Sequence, residues 1–223
     1  MARALLFDLD DTLYLEEDFV RSGIEAVARH MAPRLGVGHD ELADRLWYDF
    51  RRLGRTGLFD RLVKAYPDSA LKVPELVAVY REHEPNLTLS GEICSLLARL
   101  RQRYKLAIVT DGLPATQEKK IAALKLETMV DAIVYPWELG APKPAPMAFQ
   151  EACRLLEVLP DQAVIVGDDP FHDVEAARAA GIACIRIRTG RAREIPTRHP
   201  PAAYDEIAAL AGLEAALASA GRQ

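Results

Sequence analysis

The chain has 223 residues, half of them hydrophobic and 27% charged, a globular profile with enough length for one sizeable domain or a core with a smaller companion. Its 33 acidic and 28 basic side chains leave a formal charge of −5, which argues against a surface built to neutralise nucleic acid or an anionic membrane. No apolar run is long enough to span a bilayer, and Asp8 interrupts the first one too early for a secretory signal, so a cytoplasmic setting is expected.

The first strand-length apolar run is Ala4–Phe7. Almost a hundred residues separate it from the next, at 105–110, and their periodicity is helical throughout. Four stripes stand out: Ile24, Val27, Ala28 and Met31; Leu42, Leu46, Phe50 and Leu53; Leu58, Leu62 and Tyr66; Leu76, Val77 and Tyr80, with Pro74 near the start of the last. Breaks at 33–38, 54–57 and 67–73 delimit a four-helix insertion over residues 15–87, leaving 1–14 and 88–223 as the core.

Beyond the insertion, a helix at 91–104 leads into the 105–110 strand, and further strands are expected at 132–135, Ala163–Gly167 and Ala183–Ile187. Helices at 116–124, 145–156 and 174–180 lie between them, with Pro144 and Pro146 suited to the first turn of the second. Asp205 ahead of Ile207, Leu210 and Leu217 suggests a closing C-terminal helix. Continuous rather than alternating hydrophobicity in the strands means that both faces are covered, which predicts a Rossmann-like parallel sheet of five strands wrapped by helices. Cys94, Cys153 and Cys184 are odd in number, far apart and set in apolar sequence, as reduced core thiols would be.

In an open parallel sheet the ligand site lies outside the carboxyl ends of the strands. Three stretches place carboxylates there: Leu5-Leu6-Phe7-Asp8-Leu9-Asp10-Asp11-Thr12, Ile108-Val109-Thr110-Asp111-Gly112, and Val164-Ile165-Val166-Gly167-Asp168-Asp169-Pro170-Phe171-His172-Asp173. So many acids in one crevice need a cation. Two carboxylates two residues apart, at the point where a strand gives way to a loop, can both reach the crevice. The Thr110 hydroxyl and the amides beside Gly112 can hold phosphoryl oxygens without adding net charge. Lys143, bracketed by Pro142 and Pro144 ahead of a helix, is placed to aim an ammonium.

These motifs, in this order, resemble the four signatures of the haloacid dehalogenase superfamily of hydrolases. The resemblance implies that Asp8 is the nucleophile and Asp10 the general acid and base. Thr110, Asp111, Gly112 and Lys143 would bind the phosphoryl group, with Lys143 neutralising charge on the nucleophile as well. Asp168 and Asp173, the second directly or through water, would complete an oxygen cage for Mg²⁺ with the Asp8 carboxylate and the Asp10 carbonyl. The insertion takes the place of the family's helical cap, which closes over the site and selects the leaving group. His172 stands where an Asn is frequent in relatives, and is read as a hydrogen-bonding neighbour.

The resemblance points to a Mg²⁺-dependent hydrolase of a small phosphate ester, acting through an aspartyl-phosphate. The opening Phe7-Asp8-Leu9-Asp10-Asp11-Thr12-Leu13-Tyr14, together with Glu138-Leu139-Gly140, resembles nucleotidase-like and phosphoglycolate-phosphatase-like branches. Sugar phosphomutase, haloacid dehalogenase and a non-catalytic phosphate- or metal-binding protein are the other readings. An acid at Asp10 counts against dehalogenation, and Lys64 and Lys72, the lysines of the insertion, lack the context expected of a Schiff-base lysine. Arg51, Arg52, Arg55 and Thr56, around Gly54 and Gly57, are candidates for a second anionic group on the substrate, although arginines also suit a solvated helix end. Trp137 is a candidate for stacking on a ring.

Overall fold

A computed structural model describes residues 2–220. The chain divides into two compact units, Met1–Glu16 with Thr88–Gln223, and Glu17–Leu87. No helix among the described residues is long and apolar enough to cross a membrane.

The first unit is built on a parallel sheet. Strands β1 (Ala4–Phe7), β2 (Lys105–Val109), β3 (Ala132–Val134), β4 (Ala163–Gly167), β5 (Ala183–Ile187) and β6 (Tyr204–Ile207) are ordered β3-β2-β1-β4-β5-β6. Every β1 side chain is fully buried, as its unbroken Ala-Leu-Leu-Phe run requires of a central strand covered on both faces. One layer of that cover joins Leu6, Val109 and Ile165 of the sheet to Phe149, Ala152 and Ala177 of the helices.

The expected sheet of five strands has six. Residues 204–207 extend along β5, where the apolar pattern predicts that Ile207 already belongs to a closing helix that follows Asp205. Charge explains the misreading. β6 pairs on one side only, and its Asp205 and Glu206 are the kind of polar residues that blunt a sheet edge, so it carries no run of buried apolar residues. Asp205 accepts from the Glu206 N–H at 2.8 Å inside the strand, and the closing helix starts only at Leu213.

In the second unit, four helices run over Glu16–Leu35 (α1), His39–Leu53 (α2), Leu58–Ala65 (α3) and Val73–Glu82 (α4). Their apolar stripes meet in one cluster that includes Val27, Met31, Leu42, Leu46, Leu62 and Leu76. Pro33 lies inside α1, so the first break falls after Leu35 rather than at the proline. The N-terminal placement of Pro74 in α4 is as read from sequence.

The first unit continues with α5 (Gly91–Arg101), α6 (Pro114–Ala123), α7 (Met147–Leu155), α8 (Glu175–Ala180) and α9 (Leu213–Ala220). Ser90 caps α5 by accepting from the Ile93 N–H at 3.3 Å. Pro146 is the residue before α7 and Pro144 lies outside it. Cys94, Cys153 and Cys184 are free thiols, the last two buried.

Candidate active site

The strand order reverses around β1, whose neighbours β2 and β4 carry the chain off in opposite directions, and the crevice of such a sheet opens at the carboxyl ends there. Asp8 directly follows β1, Thr110 follows β2 and Asp168 follows β4. The Asp8 N–H still donates to the Val166 carbonyl at 2.9 Å, so the ladder pins the residue at the strand's end. Asp8, Asp10, Thr110, Asp111, Lys143, Asp168 and Asp173 all line one cavity of about 400 Å³.

Carboxylate oxygens of Asp8, Asp168 and Asp173 lie within 4.8 Å of one another, with all three residues buried. A glycine makes this approach possible. A Cβ at Gly167 would sit 2.4 Å from Cγ of Asp173, so any side chain there would expel the carboxylate from the cluster. The wide helical turn Pro170–Val174 then carries Asp173 back over the end of β4, where its second oxygen accepts from the Asp169 N–H at 3.1 Å.

Lys143 supplies the compensating charge. Its Nζ donates to Asp8 at 2.5 Å and to Asp173 at 2.7 Å, and its side chain is almost wholly buried. Burial opposes an ammonium, but Asp173 and Asp8 outweigh it and hold the Lys143 pKa above its usual value. One lysine does not satisfy three acids. Burial, opposed by Lys143 and reinforced by Asp173, pushes Asp8 up to about 7. Burial and the neighbouring acids, Asp8 first, push Asp168 up to about 9. An all-oxygen donor set short of positive charge fits a hard divalent cation.

Asp10 has a separate environment. Lys120 Nζ lies 2.9 and 2.8 Å from its two oxygens, Gln117 Nε2 donates to one of them at 3.0 Å, and the Tyr14 hydroxyl donates to the other. Burial alone would raise the Asp10 pKa, but Lys120, Tyr14 and Gln117 hold it below the usual carboxylate value. The same Gln117 amide reaches Thr110 Oγ1 at 2.5 Å. Gly112 is not among the residues that line the cavity; its φ of +122° favours glycine, and a Cβ there would meet Gln117 at 3.4 Å, an ordinary contact distance.

Asp111 accepts the Lys143 backbone N–H at 3.0 Å and thereby ties the β2 loop to the lysine loop. His172 pairs with Asp169 at 3.0 Å, a contact that raises the His172 pKa. Thr12 Oγ1 donates to Asp168 at 3.4 Å, and from beneath, the fully buried Arg186 donates to the Asp168 carbonyl at 2.8 Å and to the Ala192 carbonyl at 2.6 Å.

Lys120, Gln117, Tyr14 and Arg186 escaped the sequence reading. A signal exists for two of them. Gln117, Lys120, Ile121 and Leu124 are spaced as one helix face and all are buried, so two polar residues occupy the start of an apolar stripe. In the helical unit, Arg51 pairs with Glu17 at 2.5 Å and Arg52 donates to the Tyr48 hydroxyl at 3.2 Å, both exposed. The Thr56 carbonyl accepts from Arg61 at 2.8 Å, while Arg55 lines a cavity of about 250 Å³ with Phe59, Asp60, Tyr80 and Arg81. Trp137 is exposed.

Residues 5–187 match the family model described as haloacid dehalogenase-like hydrolase, and the chain belongs to that family. It is 32% identical over 209 residues to a glyceraldehyde 3-phosphate phosphatase of Methanopyrus kandleri, covering 89% of each chain. To a phosphoserine phosphatase of Thermus thermophilus it is 26% identical over 233 residues, covering 89% of this chain and 93% of the other. A solved structure of a 2-haloacid dehalogenase from Pseudomonas syringae matches with a TM-score of 0.64 at 26% identity, over 98% of this chain and 99% of that one. The fold is thus shared with carbon–halogen chemistry, and the curated relatives place this chain among the family's phosphatases, as a phosphoric monoester hydrolase.

Proposed function

We propose that the protein hydrolyses a small phosphorylated metabolite with Mg²⁺ and an aspartyl-phosphate intermediate. The observation that carries this reading is the Asp8–Lys143–Asp173 bridge beside Asp168, with Asp10 held apart on its own donors. A carboxylate at Asp10 favours phosphate esters over haloacids, because an alkoxide leaving group needs a proton and a halide does not.

An Asp8 oxygen attacks phosphorus, the bond to the leaving oxygen breaks, and that oxygen takes a proton from Asp10, which must enter this step protonated although its donors keep the resting carboxylate ionised. Water then attacks the phosphorus of the acyl phosphate and gives a proton to Asp10. Asp8 and inorganic phosphate are released. The Thr110 hydroxyl and the Asp111 backbone N–H would orient the phosphoryl oxygens, with Gly112 behind them, and Lys143 offsets the charge that gathers between nucleophile and phosphorus. The Asp8, Asp168 and Asp173 carboxylates, with the Asp10 carbonyl, would hold Mg²⁺, which when bound supplies Lewis-acid stabilisation of the phosphoryl charge.

We assign the helical unit to a cap that selects the leaving group, and the free thiols accord with a cytoplasmic setting. Relatives named for glyceraldehyde 3-phosphate and phosphoserine suggest a compact substrate, in keeping with the cavity's size. The test is hydrolysis of p-nitrophenyl phosphate with and without Mg²⁺. Turnover should require the metal and fall by about 10⁴-fold or more in Asp8→Asn. No turnover by the wild type, or unchanged turnover in the variant, would sink the assignment.

A further inference from the structure

The two lysines buried at the carboxyl end of the sheet stand in different relations to the chemistry. Lys143 bridges the nucleophile and the acid cluster, whereas Lys120, on α6, delivers its ammonium to both oxygens of Asp10. The Lys120 side chain is 5% exposed. Withdrawing an ammonium from water costs several kcal/mol, and a buried ion pair seldom returns more stability than apolar packing would. A methionine would fill the same place on a stripe that already holds Ile121 and Leu124. A gain in stability alone therefore explains this lysine poorly.

The geometry around Asp10 suggests what the pair does instead. Two ammonium contacts of nearly equal length, one to each oxygen, resist rotation of the carboxylate about its Cβ–Cγ bond. Gln117, one turn earlier on the same helix face, adds a donor to one oxygen and with its amide also holds the Thr110 hydroxyl. Tyr14 donates to the other oxygen. Pro114 at the start of α6 and the left-handed backbone at Gly112 bring that face up to the loop after β1.

We infer that Lys120 is a positioning residue for Asp10, acting with Gln117 to hold the carboxylate in the orientation that accepts a proton from the attacking water. This rests on the proposed role of Asp10 and deepens it by naming what aims the group. The consequence differs between the two half-reactions. A nitrophenolate leaves without a proton, so formation of the phosphoenzyme from an aryl ester should depend little on Asp10, while its hydrolysis should depend on it strongly.

For Lys120→Met with p-nitrophenyl phosphate, kcat should fall about 10- to 100-fold while kcat/KM stays within about threefold, with a burst of nitrophenol equal to the enzyme present. With glycerol phosphate, whose alkoxide needs protonation, kcat/KM should fall too. In an Asp10→Asn background, Lys120→Met should change the rate by no more than about threefold, because the group it positions is gone. Circular dichroism and melting establish folding; should Lys120→Met not fold, Lys120→Gln, which keeps a donor without the charge, should give the same split to a smaller extent. Equal losses in kcat and kcat/KM on the aryl ester, a multiplied loss in the double variant, or wild-type kinetics in a folded Lys120 variant would each overturn the inference. These results leave the phosphatase assignment standing, since that fails only if the wild type is inactive or Asp8→Asn is not impaired.

Discussion

The carboxyl end of the sheet and the helical unit handle charge in opposite ways. At the sheet, Lys143 pairs with Asp8 and Asp173, and Lys120 with Asp10, all largely withdrawn from water. In the helical unit, Arg34 meets Glu75 and Arg51 meets Glu17 at the surface, with side chains more than a third exposed. Exposed pairs of this kind are worth about 0–1 kcal/mol, whereas breaking a buried pair strands a charge at a cost of about 3–5 kcal/mol. Buried charge in the first unit thus gathers around the proposed active site, whereas these surface pairs of the second unit add little to stability.

Removing the buried cation should show the contrast at its largest. Lys143→Met would leave Asp8 and Asp173 facing each other without their ammonium, and kcat on an aryl phosphate is expected to fall about 10²- to 10³-fold. A loss below about fivefold in steady-state assays would mean that Lys143 merely fills space.

The charge deficit should also be visible in stability. Asp8 and Asp168 carry folded-state pKa values of about 7 and 9, raised chiefly by burial above the ordinary carboxylate value. A raised carboxylate pKa stabilises the fold below the unfolded value, and that contribution is lost as pH rises through the folded one. Lys143, held above its usual pKa, stays protonated across this window, and Asp10, held below its usual value, changes only at lower pH. The metal-free melting temperature should therefore drop between about pH 4 and pH 9, and added Mg²⁺ should raise it most at the alkaline end. A flat metal-free profile, or a Mg²⁺ effect largest in acid, would contradict the role of the acid cluster as a cation site.

The two units also differ in how far their sequences could be read. Strand-end positions such as Asp8, Thr110 and Asp168 are legible because a parallel sheet fixes where its loops converge, so local pattern implies three-dimensional position. Lys120 was hidden because helical spacing shows that it shares a face with Gln117, but not which loop that face meets. Arg186 was hidden because an apolar strand reading does not register one charged residue whose partners, the Asp168 and Ala192 carbonyls, lie elsewhere in the chain. The sequence assigns Ile207 of β6 to the closing helix because an edge strand of four residues has too little buried surface to impose an apolar period. In the helical unit the four stripes are readable because each buries one face, with Leu53 at the end of the second left exposed, whereas the selectivity proposed for this unit would depend on the rims of those helices, where no period applies.

The smallest expected effects lie on those rims and separate two neighbouring arginines. Arg52 is exposed and bound to the Tyr48 hydroxyl of its own helix, so Arg52→Ala should leave kcat/KM within about twofold and stability within about 0.5 kcal/mol. Arg55 lines the 250 Å³ cavity of the helical unit together with Arg81. If that unit selects the leaving group, Arg55→Ala should raise KM about three- to tenfold for a phosphate ester bearing a second anionic group, since an exposed charge contact is worth about 0.7–1.4 kcal/mol. The aryl ester, which has no second anion, should be unaffected and provides the internal reference. Parallel changes on both substrates would show that Arg55 supports the helical fold rather than reading the substrate, and would shift the search for selectivity to the loops beside Asp8 and Lys143.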